Sequence, residues 1–390
     1  MNTNPIEFYN PLEIALDGAR LQDFVDEVLA SYNALQVDGF RFNDDLLPDF
    51  TYEQVQRELQ MDVMASYVDL DSPAIPVGYE GATLATGKIP RMKAVEYYNE
   101  DKLRKLRLME DRRSIERSEI VARAGVSLGE IFLRLVGRHT NSLTYQRHQV
   151  VSTAGLTLTD TNNPNGIKNV TFAAHVPSAN KTTLTSTKRW WTDNTYAAEG
   201  SAADPIADLQ NMVKVARRKG VSRFHFEVNY NYLDEILGHS KVIAAIATNL
   251  YPLAADATVA AAAIANLGRD RKVSVLSEIV GAPIVAWDTQ SAVEKWDNTN
   301  KKLTRSTFDS FAADVVVLVP DGNIGEILTV EPILLEGGEY AYYYGRKLAI
   351  TIGKDFVKKC LSYNSEMTSL VVPDKPQLMF YLFPNIANDA

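Results

Sequence analysis

Gly81-Ala82-Thr83-Leu84-Ala85-Thr86-Gly87-Lys88-Ile89-Pro90-Arg91-Met92 is the stretch on which the fold turns. With Pro73, Pro76 and Gly78 ahead of it, its glycines and proline exclude a helix through the first half of residues 74–108. The segment therefore reads as a long hairpin or extended loop. Two arms of about 14 residues at roughly 3.3 Å each reach on the order of 45 Å. A compact domain of about 100 residues has a radius of gyration of about 13 Å. Such an arm leaves its own domain and, being marginal alone in water, must rest on another surface, of this chain or of another copy.

Charge sharpens that reading. Residues 1–80 carry 16 acidic and 3 basic side chains, whereas residues 81–123 carry 11 basic and 7 acidic ones. An acidic lead-in, a basic loop and a following helix suggest a part that fits copies of itself. The whole chain has 390 residues and a net charge of −9. That length predicts two to three domains, and the acidic balance disfavours a protein that coats nucleic acid through clustered Lys and Arg. Enclosing DNA needs no such excess. Cys360 is the single cysteine, so neither an internal disulfide nor a thiolate metal site is expected. The first residues carry no basic-then-apolar pattern, so no secretory leader is predicted. Val242–Leu267, the most apolar long stretch, is interrupted by Asn249, Pro252, Asp256 and Asn266 and is too polar for a membrane span.

Working outward, residues 1–60 read as short helices, one carrying Leu21, Phe24, Val25, Val28 and Leu29 on one face and a second over Tyr52–Met61. The strongest helix covers residues 111–139, with Ile115, Ile120, Ala124, Leu128, Ile131, Leu135 and Arg138 in helical spacing and Ser114 placed to cap it. Gly125 and Gly129 sit four apart inside it. Each costs about 1 kcal/mol relative to Ala, which marks either close packing of another backbone or a weak spot. Gln149–Thr157 and Lys168–Ala174 read as strands. Asp204-Pro205 is an N-cap with proline at the first helical position, and that helix ends at Gly220 after Arg217-Arg218-Lys219. Val273–Leu276, Pro283–Trp287, Val315–Val319, Tyr340–Ile352, Thr368–Val372 and Gln377–Phe383 read as strands, and Asp355–Ser362 as a short helix.

No catalytic pattern emerges. The five histidines, His139, His148, His175, His225 and His239, lack metal spacing, and a structural role is expected for each. There is no phosphate loop and no nucleophile elbow. Asp321-Gly322-Asn323-Ile324-Gly325 reads as a tight turn. Lys102-Leu103-Arg104-Lys105-Leu106-Arg107 interleaves charge with leucine, as suits a segment lying on an acidic partner or an exposed solvated face.

The order of parts resembles the major capsid proteins of tailed bacteriophages with the Hong Kong 97 fold, and is most similar to the lambda-type major head proteins, the E family. Three matches carry the resemblance. Trp190-Trp191 is followed by Asp204-Pro205-Ile206-Ala207-Asp208-Leu209. Pro283-Ile284-Val285-Ala286-Trp287 is followed, after a polar excursion, by Ala313-Asp314-Val315-Val316-Val317-Leu318-Val319-Pro320. Gly322 and Gly325 then follow that strand.

The resemblance covers roughly residues 60–385 and implies an α+β fold. Residues 1–70 would be an N-terminal arm and 71–110 an extended loop on a neighbouring subunit. Residues 111–203 with 340–385 would form a peripheral domain around a long spine helix, and 204–339 an axial domain. It implies no enzyme, cofactor or metal, but a subunit that self-assembles into pentamers and hexamers of an icosahedral or prolate head around double-stranded DNA. Scaffold, portal and decoration proteins would be its partners, without a membrane. The virion would be its location and the host cytoplasm its place of assembly. The expected inter-subunit residues are Lys88, Arg91, Lys93, Lys102, Arg104, Lys105 and Arg107 in the loop, with Gly125 and Gly129 as close-packing points of the spine helix. The alternatives are an encapsulin-type nanocompartment shell and, from another class, a soluble α+β enzyme with an unrecognised acid–base pair.

Overall fold

The computed structural model describes residues 26, 42–49, 51–57, 82–98, 101, 104–105, 117–193, 195–251, 264, 266–297, 302–332, 340–343, 347–355 and 360–385. The chain mixes helix and sheet, and it divides into two compact units. One comprises Met1–Tyr52, Gly87–Thr144 and Ile327–Val371, the other Glu53–Thr86, Tyr145–Glu326 and Val372–Ala390.

In the first unit the long strand Cys360–Pro373 is central. A six-stranded sheet runs in the order Phe42–Leu47, Gly325–Val330, Cys360–Pro373, Leu348–Asp355, Tyr340–Tyr343, with Arg91–Tyr98 also paired to Cys360–Pro373. Arg91–Tyr98 is antiparallel to it, from Thr368 opposite Arg91 to Leu361 opposite Tyr98. The helix α1 spans Arg117–Thr153, and its Leu128, Ile131, Phe132, Leu135 and Val136 are buried at i, i+3, i+4 spacing. Phe132 meets Tyr363 edge-on at 5.7 Å, and His139 Nε2 lies 2.9 Å from Ser365 Oγ. Tyr363 and Ser365 are two apart on one strand, so they share a sheet face.

The second unit holds a mixed five-stranded sheet in the order Lys181–Thr183, Phe380–Phe383, Val316–Pro320, Phe224–Asn229, Ile284–Trp287. Val316–Pro320 is antiparallel to both neighbours, while Phe224–Asn229 and Ile284–Trp287 are parallel. Parallel neighbours require a crossover, and it contains α3 (Tyr230–Gly238), α4 (Ser240–Leu250) and α5 (Arg269–Val280). With α2 (Pro205–Arg218) these helices bury Leu209, Met212, Leu233, Ile236, Val242 and Leu276 in one core with Phe226, Val228, Val316 and Leu318 of the sheet.

The local chemistry of α2 explains its position. The Asp204 carboxylate accepts from Ala207 N at 3.1 Å and caps the helix, Pro205 opens it, and Gly220 adopts φ +84° after it. Asp208, one turn in, accepts the indole N–H of the buried Trp190 at 2.8 Å. The Trp … Asp-Pro-x-x-Asp pattern is therefore a cap plus a tryptophan anchor.

Five sequence expectations need correction. Thr51–Arg57 is a strand paired with Ala82–Lys88, so Tyr52–Arg57 is not helical. A cross-strand partner decides the state of a short segment whose Thr51, Tyr52 and Val55 already favour a strand. Residues 58–61 lie outside the described residues, as does most of the predicted first helix, of which Asp26 is helical.

Among the described residues of the 74–108 hairpin or extended loop, Ala82–Lys88 pairs with Thr51–Arg57 and Arg91–Tyr98 with Cys360–Pro373, so these two strands are not the arms of one hairpin. Gln149–Thr153 belongs to α1. There Ser152 Oγ bonds His148 O at 2.6 Å and Thr153 Oγ1 bonds Gln149 O at 2.8 Å, bonding back onto the helix. Only at Ala154, with φ 59°, does the chain leave it.

Val273–Leu276 lies within α5, because Gly281 at φ 84° ends a helix that buries Val275, Leu276 and Val280. Asp355–Ser362 is not a helix. Asp355 and Cys360 pair as the near end of a β-hairpin, and residues 356–359 lie outside the described residues.

The cap yields a first prediction. Asp204→Ala will lower stability by about 1 kcal/mol, seen as a lowered urea midpoint at unchanged slope, while Asp204→Ser will recover most of it.

Candidate functional site

Of the basic loop residues, Arg91 and Lys93 lie on the strand Arg91–Tyr98. Lys88 ends the Ala82–Lys88 strand and is exposed. Arg91 Nε and Lys93 Nζ lie 3.2 and 3.1 Å from the two oxygens of Glu366. The register explains this, since Glu366 is opposite Lys93 and diagonal to Arg91. Further along the strand, Glu96 receives Arg138 at 2.6 Å and Arg134 at 3.8 Å, and Arg138 also donates to Val95 O at 3.3 Å. Each of these two carboxylates is shared by two cations, so the edge keeps an excess of positive charge. Lys93 remains 62% and Arg91 44% exposed.

Arg104 and Lys105 are helical and exposed, and Lys105 pairs with Asp101 at 2.8 Å. Lys102 and Arg107 lie outside the described residues. Gly125 and Gly129 both lie in α1, and Gly129 is buried.

The sequence reading missed the most charged interior contact, in the second unit. Strand Phe224–Asn229 sends Phe224, Phe226 and Val228 into the helical core, so His225, Glu227 and Asn229 face the other way. There Arg147 of α1 meets Glu227 through two bonds, Nη1 to Oε2 at 3.0 Å and Nη2 to Oε1 at 2.9 Å. Both side chains are 0% exposed.

Glu227 also accepts the Trp287 indole N–H at 2.8 Å, and His225 Nε2 lies 3.2 Å from it. His225 Nδ1 reaches the surface carboxylate of Asp321 at 2.7 Å. The Arg147 guanidinium lies 4.4 Å over the Trp287 ring, and its Nη1 is 3.1 Å from His148 Nδ1. With guanidinium N–H donating, that nitrogen accepts, which fixes neutral His148 with its proton on Nε2. Burial, then the charge of Arg147, holds His148 down at about 3 against the opposing pull of Glu227. Burial, then Arg138, lowers His139 to about 4. A glutamate alternating with Phe224, Phe226 and Val228 in the strand Phe-His-Phe-Glu-Val-Asn was the available signal that a buried cation must exist.

None of this is arranged for chemistry. Glu227 is saturated by donors and no solvent reaches it. An open groove of about 820 Å³ between α5 and Ile284–Trp287 is lined by Arg269, Asp270, Ser274, Ser277 and Glu278. In it the Ser277 hydroxyl donates to Val273 O at 2.8 Å, and Arg269 pairs with Asp234 and stacks on Tyr230. Among the described residues no cluster of His, Cys, Asp or Glu could hold a metal, and no helix is long and apolar enough to cross a membrane. Cys360 is buried.

The chain belongs to the family of phage major capsid protein E, whose pattern it matches over residues 43–380. It is a capsid shell protein of the virion, a structural part that associates with itself in many copies. No curated protein matches the sequence.

Among solved structures it is similar to the putative capsid protein of a prophage of E. coli CFT073, with 12% identity, 78% of this chain and 79% of that chain covered, and a TM-score of 0.45. It is also similar to the procapsid of satellite phage P4, with 10% identity, coverage of 94% and 99%, and a TM-score of 0.45. The capsid of cyanophage A-1(L) matches at 13% identity, coverage of 92% and 94%, and a TM-score of 0.44.

Two predictions follow from the interior. Glu227→Ala strands a buried guanidinium and will cost about 3–5 kcal/mol. Arg147→Met combined with Glu227→Leu will cost clearly less, because no charge is left behind; urea denaturation of the two variants decides.

The histidines set an acid limb. Both have native pKa values depressed below the ordinary 6.5, so the unfolded chain binds protons that the native one does not. Stability is therefore full above pH 6.5 and is lost as pH falls towards 4 and 3. From pH 7 to 5 the loss is on the order of 2 kcal/mol per histidine. Unfolding midpoints at the two pH values will converge in the His139→Gln, His148→Gln double variant, and an unchanged gap would refute the assignment.

Proposed function

We propose that this chain is the repeating subunit of a tailed-phage head with the Hong Kong 97 subunit organisation, enclosing double-stranded DNA without reading its sequence. The family match over residues 43–380 carries the reading. In this proposal residues 1–70 are the arm, 71–110 the loop that lies on a neighbour, 111–203 with 340–385 the peripheral domain, and 204–339 the axial domain. Pentamers and hexamers close the shell, and scaffold, portal and decoration proteins join it in the host cytoplasm. The subunit performs no catalysis; its work is mutual contact.

The physical support is the charge excess of the Arg91–Tyr98 edge. Exposed pairs contribute about 0–1 kcal/mol each, too little for a stable dimer. Repeated among several neighbours, each later contact is effectively intramolecular and the sum becomes large. Charge complementarity then sets register and partner more than raw affinity. On this reading Lys88, Arg91, Lys93, Lys102, Arg104, Lys105 and Arg107 meet acidic surface on an adjacent copy, and Gly125 and Gly129 mark close packing along α1.

Negative-stain microscopy of the expressed chain tests the reading: closed shells are expected, and a monomer under every assembly condition would sink it. The loop contact has its own test. Arg104→Glu with Arg107→Glu will abolish particles while circular dichroism and the melting curve of the soluble chain stay unchanged. Normal particles from that variant would remove the loop from the interface.

A further inference from the structure

The strongest charged patch that the shell reading leaves without a task is on α2, in the second unit. From Leu209 to Phe226 the sequence has no acidic residue and five cations, Lys214, Arg217, Arg218, Lys219 and Arg223. Lys214, Arg217 and Arg218 are spaced i, i+3, i+4, so they share one helix face, and all three are exposed, as is Arg223. The one carboxylate of α2, Asp208, is turned inward to Trp190. Among the described residues, none of the five has a carboxylate within ion-pair distance.

Two of the five heads are held in place. Arg217 lies 5.8 Å over the Phe224 ring and Lys219 5.4 Å over Phe380, with Lys219 Nζ bonded to Asn180 Oδ1. These two heads lose less entropy on meeting an anion than mobile ones would.

We propose that this face docks the acidic N-terminal segment, residues 1–41, of a second copy; the inference rests on the shell reading and deepens it. Charge complementarity on one polypeptide is the argument. Residues 1–41 carry 7 acids and 2 bases, and the α2 face with its C-terminal flank carries five cations without an acid among them. Residues 1–41 have a contour length of at most roughly 135 Å, so reach does not limit the contact. In a shell every copy also holds its neighbours' segments at high effective concentration.

A nucleic-acid duplex fits this face less well. Asp321, which bonds Arg223 O through its own N–H at 3.1 Å and is 50% exposed, stands beside the patch. The C-terminal carbonyls of α2 add negative potential there. A stiff row of phosphates must cross both, whereas a peptide with carboxylates spaced as in Glu13, Asp17, Asp23, Glu27 and Asp38 routes between them.

The test uses shells assembled from an equal mixture of heavy-isotope and ordinary full-length chain, treated with a carbodiimide that joins lysine amines to carboxylates. Cross-links from Lys214 or Lys219 to carboxylates of residues 1–41 are expected in mixed-isotope pairs. In parallel, Arg217→Glu with Arg218→Glu will lower particle yield about tenfold at roughly 0.15 M salt, with the melting curve of the soluble chain unchanged, and Arg217→Lys with Arg218→Lys will restore it. Shells with no such cross-links, or with same-isotope cross-links alone, overturn the docking and leave the shell reading standing. Charge-reversed shells that assemble normally but lose nucleic acid assign the face to the genome and likewise overturn it. Absence of shells from the unaltered chain overturns both.

Discussion

The second unit depends on a single buried ion pair. Arg147 and Glu227 are fully enclosed, and removing two charges from water costs several kcal/mol per ion even after relaxation. The two parallel bonds, the Trp287 indole and His225 offset that cost by satisfying both carboxylate oxygens. The consequence is positional. Glu227 is the residue opposite Val317 on one side and beside Val285 on the other. A one-residue slip would turn Glu227 into the helical core and Phe226 out of it. The pair therefore specifies the register of the central strand, a role in which buried charge serves uniqueness more than net stability.

The opposite sheet face obeys ordinary hydrophobic packing. Phe226, Val228, Val316 and Leu318 meet α2 to α5, and at about 25 cal/mol per Å² of buried apolar surface such a layer supplies the bulk driving force without choosing a register by itself. Trp190 links the polar and apolar logic. It is fully buried, stacks on Tyr232 with ring centroids 6.5 Å apart, and places its polar N–H on Asp208. Burial raises the pKa of that aspartate while the indole bond opposes the rise, so a short motif near a helix start holds the helix, the tryptophan and the core together.

What was legible in the sequence was what short-range chemistry decides. Asp204-Pro205 and Gly220 bound α2 because a cap, a missing N–H and a left-handed residue act within one turn. Ile284–Trp287 and Val316–Pro320 were readable as apolar runs flanked by turns. Val273–Leu276 misled because a short β-branched run looks alike in both states; Gly281, several residues away, settles it as a helix. Tyr52–Arg57 and the two arms of the loop misled because a strand's identity depends on its partner, and the partners here are distant. Glu366 lies far along the chain from Arg91 and Lys93, and Glu227 lies eighty residues after Arg147. Spacing along one chain cannot pair them, although a glutamate in a buried strand asks for a cation.

A shell subunit must satisfy two opposed demands, and this chain divides them between interior and surface. Contacts between copies need to be individually weak, so that a misplaced subunit can leave, and exposed charge pairs of about 0–1 kcal/mol meet that need. A subunit that deformed under such contacts would lose the geometry that makes them add. The interior therefore has to be stiff where the surface is forgiving. Arg147 and Glu227 supply that stiffness, since displacing either leaves an uncompensated charge at a cost of about 3–5 kcal/mol, several times any one surface contact. On the outside, Glu366 and Glu96 temper the basic edge without cancelling it. The ratio between these energies lets many labile contacts be summed by a body that does not yield to any one of them.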